Sequence, residues 1–124
     1  RYLERYEART GIQLTIDVRA ITERLPATVE VAIFRIIQEA LENVRRHAQA
    51  SRVEVGIYEE DECLIFSVTD NGVGLRPGNV GSRGRSLGLV SMYDRAELLQ
   101  GKLRLRSDAE QGTQLILSIP YPIS

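Results

Sequence analysis

The sequence predicts an α/β (α+β) two-layer sandwich, in which helices cover one face of a mixed, largely antiparallel sheet. The periodic segments follow one another as strand, helix, two strands, loop, helix and two strands. Adjacent strands have short connections, which argues against a doubly wound parallel sheet. The chain has 124 residues and 43% hydrophobic content, enough for one sheet and one layer of helices around a single core.

The first half of the chain alternates between helical and strand periodicity. Residues 1–9 have a helical pattern that Gly11 can end. Apolar residues alternate over 12–18, which predicts a half-buried strand. Thr28 is a suitable N-cap for the clearest helix, over residues 29–48, where one apolar stripe recurs at spacings of three and four. The stripe consists of Ile33, Ile37, Ala40, Leu41, Val44 and Ala48.

The second half begins with a hairpin. Alternating strands over 52–58 and 63–69 flank an acidic turn at 59–62. Residues 71–86 are rich in glycine and predict a long loop, of a kind that is often functional. The loop is followed by a helix containing Leu89, Met92, Ala96 and Leu99 and ended by Gly101, then by strands around 103–105 and over 113–119.

Composition excludes several classes of function. The net charge of −1 provides no overall field for nucleic acid or for an acidic membrane. Lys102 is the only lysine, so no phosphate-loop motif with its lysine is present. Cys63 is the only cysteine, which excludes a disulfide framework and predicts a buried, inert thiol. The sequence contains no signal peptide and no apolar run of membrane-spanning length.

Four polar residues form a second stripe on the long helix. Glu39, Asn43, Arg46 and His47 lie at spacings of four, three and one, which is also typical of a solvated helix flank. Asparagine is a poor helix-interior residue, but its amide oxygen suits Mg²⁺. Glu39, one turn away, could orient a metal-bound water or act as a base. For His47, a capping or packing role and a catalytic role both stay open.

A second group of candidates surrounds the strand ends. Asp70 ends an apolar strand, and a buried carboxylate there needs hydrogen-bond donors, either an adenine amino group or a turn amide. Taken alone, the Asp-Asn-Gly run is more typical of a hairpin turn. Gly72 and Gly74 would let the backbone approach a flat ring or a phosphate. Gly112-Thr113 is either a plain turn or a source of a hydroxyl that supports Asp70.

Taken together, four motifs resemble those of the GHKL-type ATPases. Residues 38–48 look like the N box of histidine kinases, and residues 70–74 look like the first glycine box. Residues 86–96 are similar to the second glycine box with its helix, and residues 111–113 to the closing Gly-Thr element. The pattern is most similar to sensor histidine kinases paired with LuxR-type response regulators, and it implies a Bergerat-type ATP-binding fold.

The resemblance implies a role for each site residue. Asn43 would coordinate Mg²⁺ between ATP phosphates, and Asp70, supported by Thr113, would accept a hydrogen bond from adenine. Glu39 matches the N-box glutamate and would lie near metal and water. Gly72 and Gly74 would shape the adenine pocket. The residues that would lie near the phosphates are Arg46, His47, Gly88 and Leu89. Ser86 replaces a usual glycine, for which Gly84 could substitute.

The resemblance also implies a domain organisation. Residues 1–9 would end a linker or a preceding dimerisation helix, and residues 10–124 would form the ATP-binding catalytic domain. The histidine that accepts the phosphoryl group would lie on a separate dimerisation domain, absent from this chain, so the fragment would bind ATP and Mg²⁺ without autophosphorylating. Homodimerisation would occur only through that missing domain.

The expected partners and alternatives follow from the same resemblance. The partners would be the dimerisation domain and a response regulator, with no nucleic acid and no direct membrane contact by this domain. The domain would be cytoplasmic, as part of a membrane-bound bacterial sensor. One alternative keeps the fold but phosphorylates serine, as anti-sigma-factor kinases do. Another is an interaction domain that has lost ATP binding.

Overall fold

A computed structural model describes residues 2–19, 25–72, 87–108 and 112–120. The elements alternate much as the sequence predicts, with one short π-helical turn directly after the long helix. In chain order they are helix α1 (Tyr2–Thr10), strand β1 (Gln13–Val18), helix α2 (Ala27–Asn43), the π-turn (Val44–Ala48), strands β2 (Arg52–Glu60) and β3 (Cys63–Asp70), helix α3 (Leu87–Leu98), and strands β4 (Lys102–Asp108) and β5 (Gly112–Pro120).

Within the described residues, five strands form one mixed sheet in the order β1-β2-β3-β5-β4. β1 pairs with β2 in parallel, and the other three pairings are antiparallel. The sheet is therefore largely antiparallel, and the predicted fold class is confirmed. The two edge strands are β1 and β4, which lie at opposite sides of the sheet.

One face of the sheet packs against the helices. Alternating residues of the inner strands point into this core, as the period of two along a strand requires, while α2 and α3 supply the other layer. Tyr6 of α1 and Ile12 complete the core. The largest fully buried side chains of the core are those of Tyr6, Ile36, Leu41, Leu64, Met92, Leu117, Ile119 and Val53.

The helix boundaries differ from the sequence prediction at both ends of α2. The helix begins at Ala27, with Pro26 as the N-cap, and the Pro26 carbonyl accepts hydrogen bonds from Val29 N and Glu30 N at 3.0 Å. The predicted capping role of Thr28 is therefore wrong, because Thr28 already lies in the first turn. At the other end, the predicted continuous helix over 29–48 changes to π-helical geometry after Asn43.

Two smaller predictions also need correction. β1 is more exposed than a half-buried strand, with Ile16 43% and Val18 57% exposed, because β1 is an edge strand. Cys63 is half-buried rather than buried. The predicted hairpin is present, and its two turn residues Asp61 and Glu62 have φ of 54° and 61°, the left-handed pair that a tight two-residue turn requires.

Candidate functional site

One end of the sheet collects most of the predicted site residues. β3 ends there at Asp70, where β2 and β5 begin. The π-turn at the end of α2 leads into the same end of β2. Helix α3 packs along α2 and leads at its C-terminus to the opposite end of the sheet. The first turn of α3, which contains Gly88 and Leu89, is therefore the end of that helix directed toward Asp70.

Asp70 is held by main-chain donors from two separate segments. The residue is only 4% exposed. Its Oδ1 accepts hydrogen bonds from Gly72 N at 2.8 Å and from Thr113 N at 3.3 Å. Burial raises the pKa of the Asp70 carboxyl above its ordinary value of 3.8, although these two hydrogen bonds act in the opposite direction. The donors that the sequence required are thus present, and the described contact with Thr113 is through its main-chain nitrogen.

Position 112 requires glycine because a larger residue would overlap Asp70. Its φ is +93°, a conformation that L side chains rarely adopt. A Cβ atom at Gly112 would lie 2.1 Å from the main-chain oxygen of Asp70 and 2.9 Å from its Oδ1. The close approach of β5 to Asp70 therefore requires glycine, and it brings Thr113 N within reach of the carboxylate.

Asn71 fastens the same corner to the start of β2. Its side-chain Oδ1 accepts hydrogen bonds from Ser51 N at 3.0 Å and Arg52 N at 2.9 Å, and its Nδ2 donates to Ser51 Oγ at 2.9 Å. Asn71 N also donates to the Arg52 carbonyl. We call residues 70–72 together with Gly112 and Thr113 the strand corner. Asp70 Oδ1 and the side-chain amide of Asn71 are held there by hydrogen bonds within the protein.

The end of α2 differs from the strand corner because it contains a buried polar atom that no described residue satisfies. Asn43 is the last residue of α2, and its Oδ1 is buried without a hydrogen-bond partner among the described residues. Such an oxygen costs free energy unless a ligand supplies a partner. The π-turn begins at the next residue, and π-helical turns are frequent at functional sites. We call residues 39–48 the helix end.

Charged residues precede and follow Asn43 along the helix end. Arg46 Nη2 lies 3.4 Å from Glu39 Oε2, and both side chains are partly exposed. Glu42 is paired with Arg9 of α1 at 2.8 Å and with Arg45 at 2.9 Å. Burial acts to raise the pKa of Glu42, but hydrogen bonds and charge attraction from the two arginines outweigh it, so the pKa lies below its ordinary value of 4.5.

The predicted site residues fall into three groups. Asp70, Gly72 and Thr113 are in direct contact at the strand corner. On α2 and the π-turn lie Glu39, Asn43, Arg46 and the main chain of His47, and in the first turn of α3 lie Gly88 and Leu89. The other two, Gly74 and Gly84, lie outside the described residues.

Sequence reasoning missed the role of three residues. From the sequence, Asn71 was interpreted only as part of a turn motif and Gly112 only as part of a Gly-Thr pair. Tyr6 was included only in the helical pattern of residues 1–9. A glycine before a strand and an asparagine after one are common signals of turns. Their actual partners, Asp70 and the Ser51-Arg52 backbone, are distant in sequence, so no local pattern could identify them.

Comparison with known proteins identifies the family. Residues 28–123 match the family described as histidine kinase-, DNA gyrase B-, and HSP90-like ATPase. This match covers most of the chain, and the chain belongs to this family of ATPases. The sequence-based recognition of the family is confirmed.

Curated relatives are named as histidine kinases. The signal transduction histidine-protein kinase/phosphatase DegS of Brevibacillus brevis is 39% identical over 97% of this chain and 31% of its own length. The oxygen sensor histidine kinase NreB of Staphylococcus carnosus is 33% identical over 96% of this chain and 34% of its own length. The chain therefore spans about a third of the length of these relatives.

Solved structures support the fold. The histidine kinase domain of a blue-light activated histidine kinase from Erythrobacter litoralis superposes with a TM-score of 0.78, covering 94% of this chain and 60% of that one at 20% sequence identity. At that identity the likeness shows a shared fold. Among the described residues, no helix is both long and apolar enough to cross a membrane.

Proposed function

We propose that the chain is the ATP- and Mg²⁺-binding catalytic domain of a two-component sensor histidine kinase. In this proposal, the whole protein transfers the γ-phosphoryl group of ATP to a histidine on a separate dimerisation domain, and a response regulator is the next partner. The names of the relatives support a histidine kinase over the anti-sigma-factor type of serine kinase. The domain would work in the cytoplasm, where ATP is available.

The observation that carries the proposal is the fixed carboxylate of Asp70. Both described donors, Gly72 N and Thr113 N, contact Oδ1. We therefore assign the other carboxylate oxygen, Oδ2, as the acceptor for the amino group of adenine. Since the carboxylate is already buried and oriented, little reorganisation is needed when a base binds. A purine without an amino group would leave Oδ2 unpartnered, so the same geometry provides specificity.

The helix end fits the second part of the ligand. The Oδ1 of Asn43, buried without a partner among the described residues, is a hard oxygen ligand of the kind that Mg²⁺ accepts alongside phosphates and waters. When bound, Mg²⁺ supplies charge neutralisation for the phosphates. Glu39, held by Arg46, would orient water near the metal or accept a proton.

The remaining predicted residues have proposed places near the phosphates or the base. The first-turn amides of α3, at Gly88 and Leu89, would favour the phosphate charge because helix N-termini attract anions. By motif, Arg46 and His47 are assigned to the phosphate side, where Arg46 would add positive charge. By motif alone, Gly74 is assigned to the adenine pocket and Gly84 to the phosphate side.

The test is calorimetric binding of a non-hydrolysable ATP analogue with and without Mg²⁺. We expect Asp70→Asn to weaken binding by about tenfold to a hundredfold under both conditions, as for loss of a buried charged hydrogen bond worth about 1.5–3 kcal/mol. Asn43→Ala should remove mainly the gain in affinity that Mg²⁺ provides.

A matched control is Glu60→Gln, an exposed change at the far end of β2, which should leave binding unchanged. Unchanged binding in both site variants would contradict the residue assignments. If the unaltered chain gave no heat with any adenine nucleotide, the hypothesis of an interaction domain without ATP binding would be supported instead.

A further inference from the structure

Helix α1 is docked on α2 through a fully buried tyrosine. Tyr6 has 0% exposure and belongs to the core formed by the sheet, α2 and α3. Its hydroxyl donates a hydrogen bond of 2.7 Å to the carbonyl oxygen of Leu41. A buried hydroxyl needs such a partner, and this one lies within α2, two residues before Asn43. The same carbonyl accepts from Val44 N, on the other side of Asn43.

A second contact from α1 reaches the residue directly before Asn43. Arg9 Nη2 lies 2.8 Å from Glu42 Oε2. Tyr6 and Arg9 are three residues apart on α1, so they share one helical face, and both act on the last turn of α2. Positions 41 and 42 are thus each held from α1, immediately before the residue with the unpartnered amide oxygen.

The C-terminal end of α1 is itself anchored. Thr10 Oγ1 donates to the Tyr6 carbonyl at 2.7 Å and accepts from Ile12 N at 3.1 Å. Glu7 Oε2 accepts from Leu14 N at 2.7 Å, which ties the helix to the first strand. The Glu7 contact fastens α1 to β1, whereas the Thr10 contacts only close the end of α1 locally. Because Glu7 holds α1 against β1, the contacts of α1 with α2 have a defined position.

We propose that Tyr6 is a positioning residue for Mg²⁺ binding, acting through the Leu41 carbonyl on the orientation of Asn43. Mg²⁺ requires near-ideal octahedral geometry, so a small shift of one ligand weakens it. The helix changes from α to π geometry directly after Asn43, so the last turn of α2 is not followed by another α-helical turn. The hydroxyl of Tyr6 supplies the missing constraint. The inference rests on the proposed function, in which Asn43 is the metal ligand.

The experiment measures the affinity of the 124-residue chain for a non-hydrolysable ATP analogue at zero and at saturating Mg²⁺. Tyr6→Phe keeps the buried ring and removes only the hydroxyl. We expect the affinity without Mg²⁺ to stay within about twofold, and the Mg²⁺-dependent gain to fall by about threefold to tenfold. Arg9→Gln should change the gain in the same direction and by less, since this pair is partly exposed.

Thr10→Val is the matched control. It also removes a hydroxyl hydrogen bond from α1, but the described contacts of that hydroxyl are all within residues 6–12. Thermal unfolding of both variants shows whether they lose similar stability. Tyr6→Phe should reduce the Mg²⁺-dependent gain and Thr10→Val should not. Equal effects of the two variants, or an unchanged gain in Tyr6→Phe, would overturn the inference.

Asn43→Ala, measured in parallel, separates the inference from the proposed function. If Asn43→Ala leaves the Mg²⁺-dependent gain intact, the metal assignment fails and the inference fails with it. If Asn43→Ala removes the gain and Tyr6→Phe does not, the metal assignment stands and only the positioning role of Tyr6 is overturned.

Discussion

The strand corner and the helix end lie at the same end of the sheet but differ in whether their buried polar atoms have described hydrogen-bond partners. At the strand corner, Asp70 and Asn71 are held by main-chain nitrogens of the same turn and of the segments that begin β2 and β5. At the helix end, the oxygen of Asn43 is buried without a described partner, and the surrounding acids form ion pairs with arginines at the surface.

In the proposed function, this difference follows from what each region would contribute to binding. A group that reads a base must already point in the right direction, so the strand corner is organised before any ligand is present. In the same proposal the oxygen of Asn43 gains its partner from the metal, which fits an oxygen that is buried without a partner among the described residues. Disturbing the close contact at Gly112 should therefore lower stability, whereas replacing the amide of Asn43 with an apolar side chain should raise it.

The largest effect is expected from Gly112→Ala at the strand corner. The new methyl group would overlap the main chain of Asp70, which cannot move without breaking the pairing of β3 with β2. We expect a loss of about 3 kcal/mol or more in the free energy of unfolding, measured with urea. Gly11→Ala is the control, because Gly11 also has a positive φ but open space around it.

Gly11→Ala should cost about 1 kcal/mol, the price of the left-handed conformation alone. The difference between the two variants measures the close approach of β5 to Asp70. Equal losses would show that backbone conformation, and not this contact, explains the requirement for glycine.

A gain in stability is expected from Asn43→Leu at the helix end. The substitution removes the unpartnered oxygen and introduces a better helix former, so the metal-free chain should be stabilised by about 1 kcal/mol. Asn43→Asp should instead destabilise the chain, and Mg²⁺ should reverse that loss. Urea unfolding at zero and at saturating Mg²⁺ checks both. A destabilised Asn43→Leu variant would show that the amide has a structural role.

A smaller effect, dependent on pH, is expected from Asp70→Asn. Burial raises the pKa of Asp70 in the folded state above 3.8, so the folded protein penalises the ionised carboxylate. The stability contributed by the protonated form is complete below the unfolded pKa and is lost as pH rises through the folded pKa. An amide keeps an acceptor oxygen for Gly72 N and Thr113 N and carries no charge.

Asp70→Asn should therefore be at least as stable as the unaltered chain at pH 7, while binding the ATP analogue more weakly. Its advantage should shrink as pH falls toward 3.8, because the unaltered carboxyl becomes protonated. Urea titrations of both proteins between pH 8 and 4 give this difference directly. A difference in stability that does not change with pH would contradict a raised pKa.

The smallest effect is expected from Glu39→Gln. The ion pair with Arg46 is long, at 3.4 Å, and partly exposed, so its loss should change the free energy of unfolding by about 0.5 kcal/mol or less. The turnover of ATP by a complete kinase should fall much more if Glu39 handles water or a proton. If stability fell by several kcal/mol with turnover unchanged, Glu39 would be a structural residue.

Much of the fold follows from local patterns. Apolar alternation in β2, β3 and β5 and the stripe on α2 identify the elements and their buried faces, because a sheet and a helix each bury one side. The end of α2 was less predictable: the amphipathic pattern continues to Ala48, while the backbone changes to π geometry after Asn43. Side-chain periodicity does not distinguish one helical hydrogen-bond pattern from another over a single turn.

The sequence alone determined the fold class and the family, because both depend on periodicity and on the order of short motifs along the chain. It also singled out Asp70 as a buried carboxylate in need of donors. Only the tertiary structure decided which donors these are, why residue 112 must be glycine, and that Tyr6 reaches the carbonyl two residues before Asn43. The physical reason is sequence separation: these contacts join segments brought together by strand pairing and helix packing, and no local pattern records the distance between them.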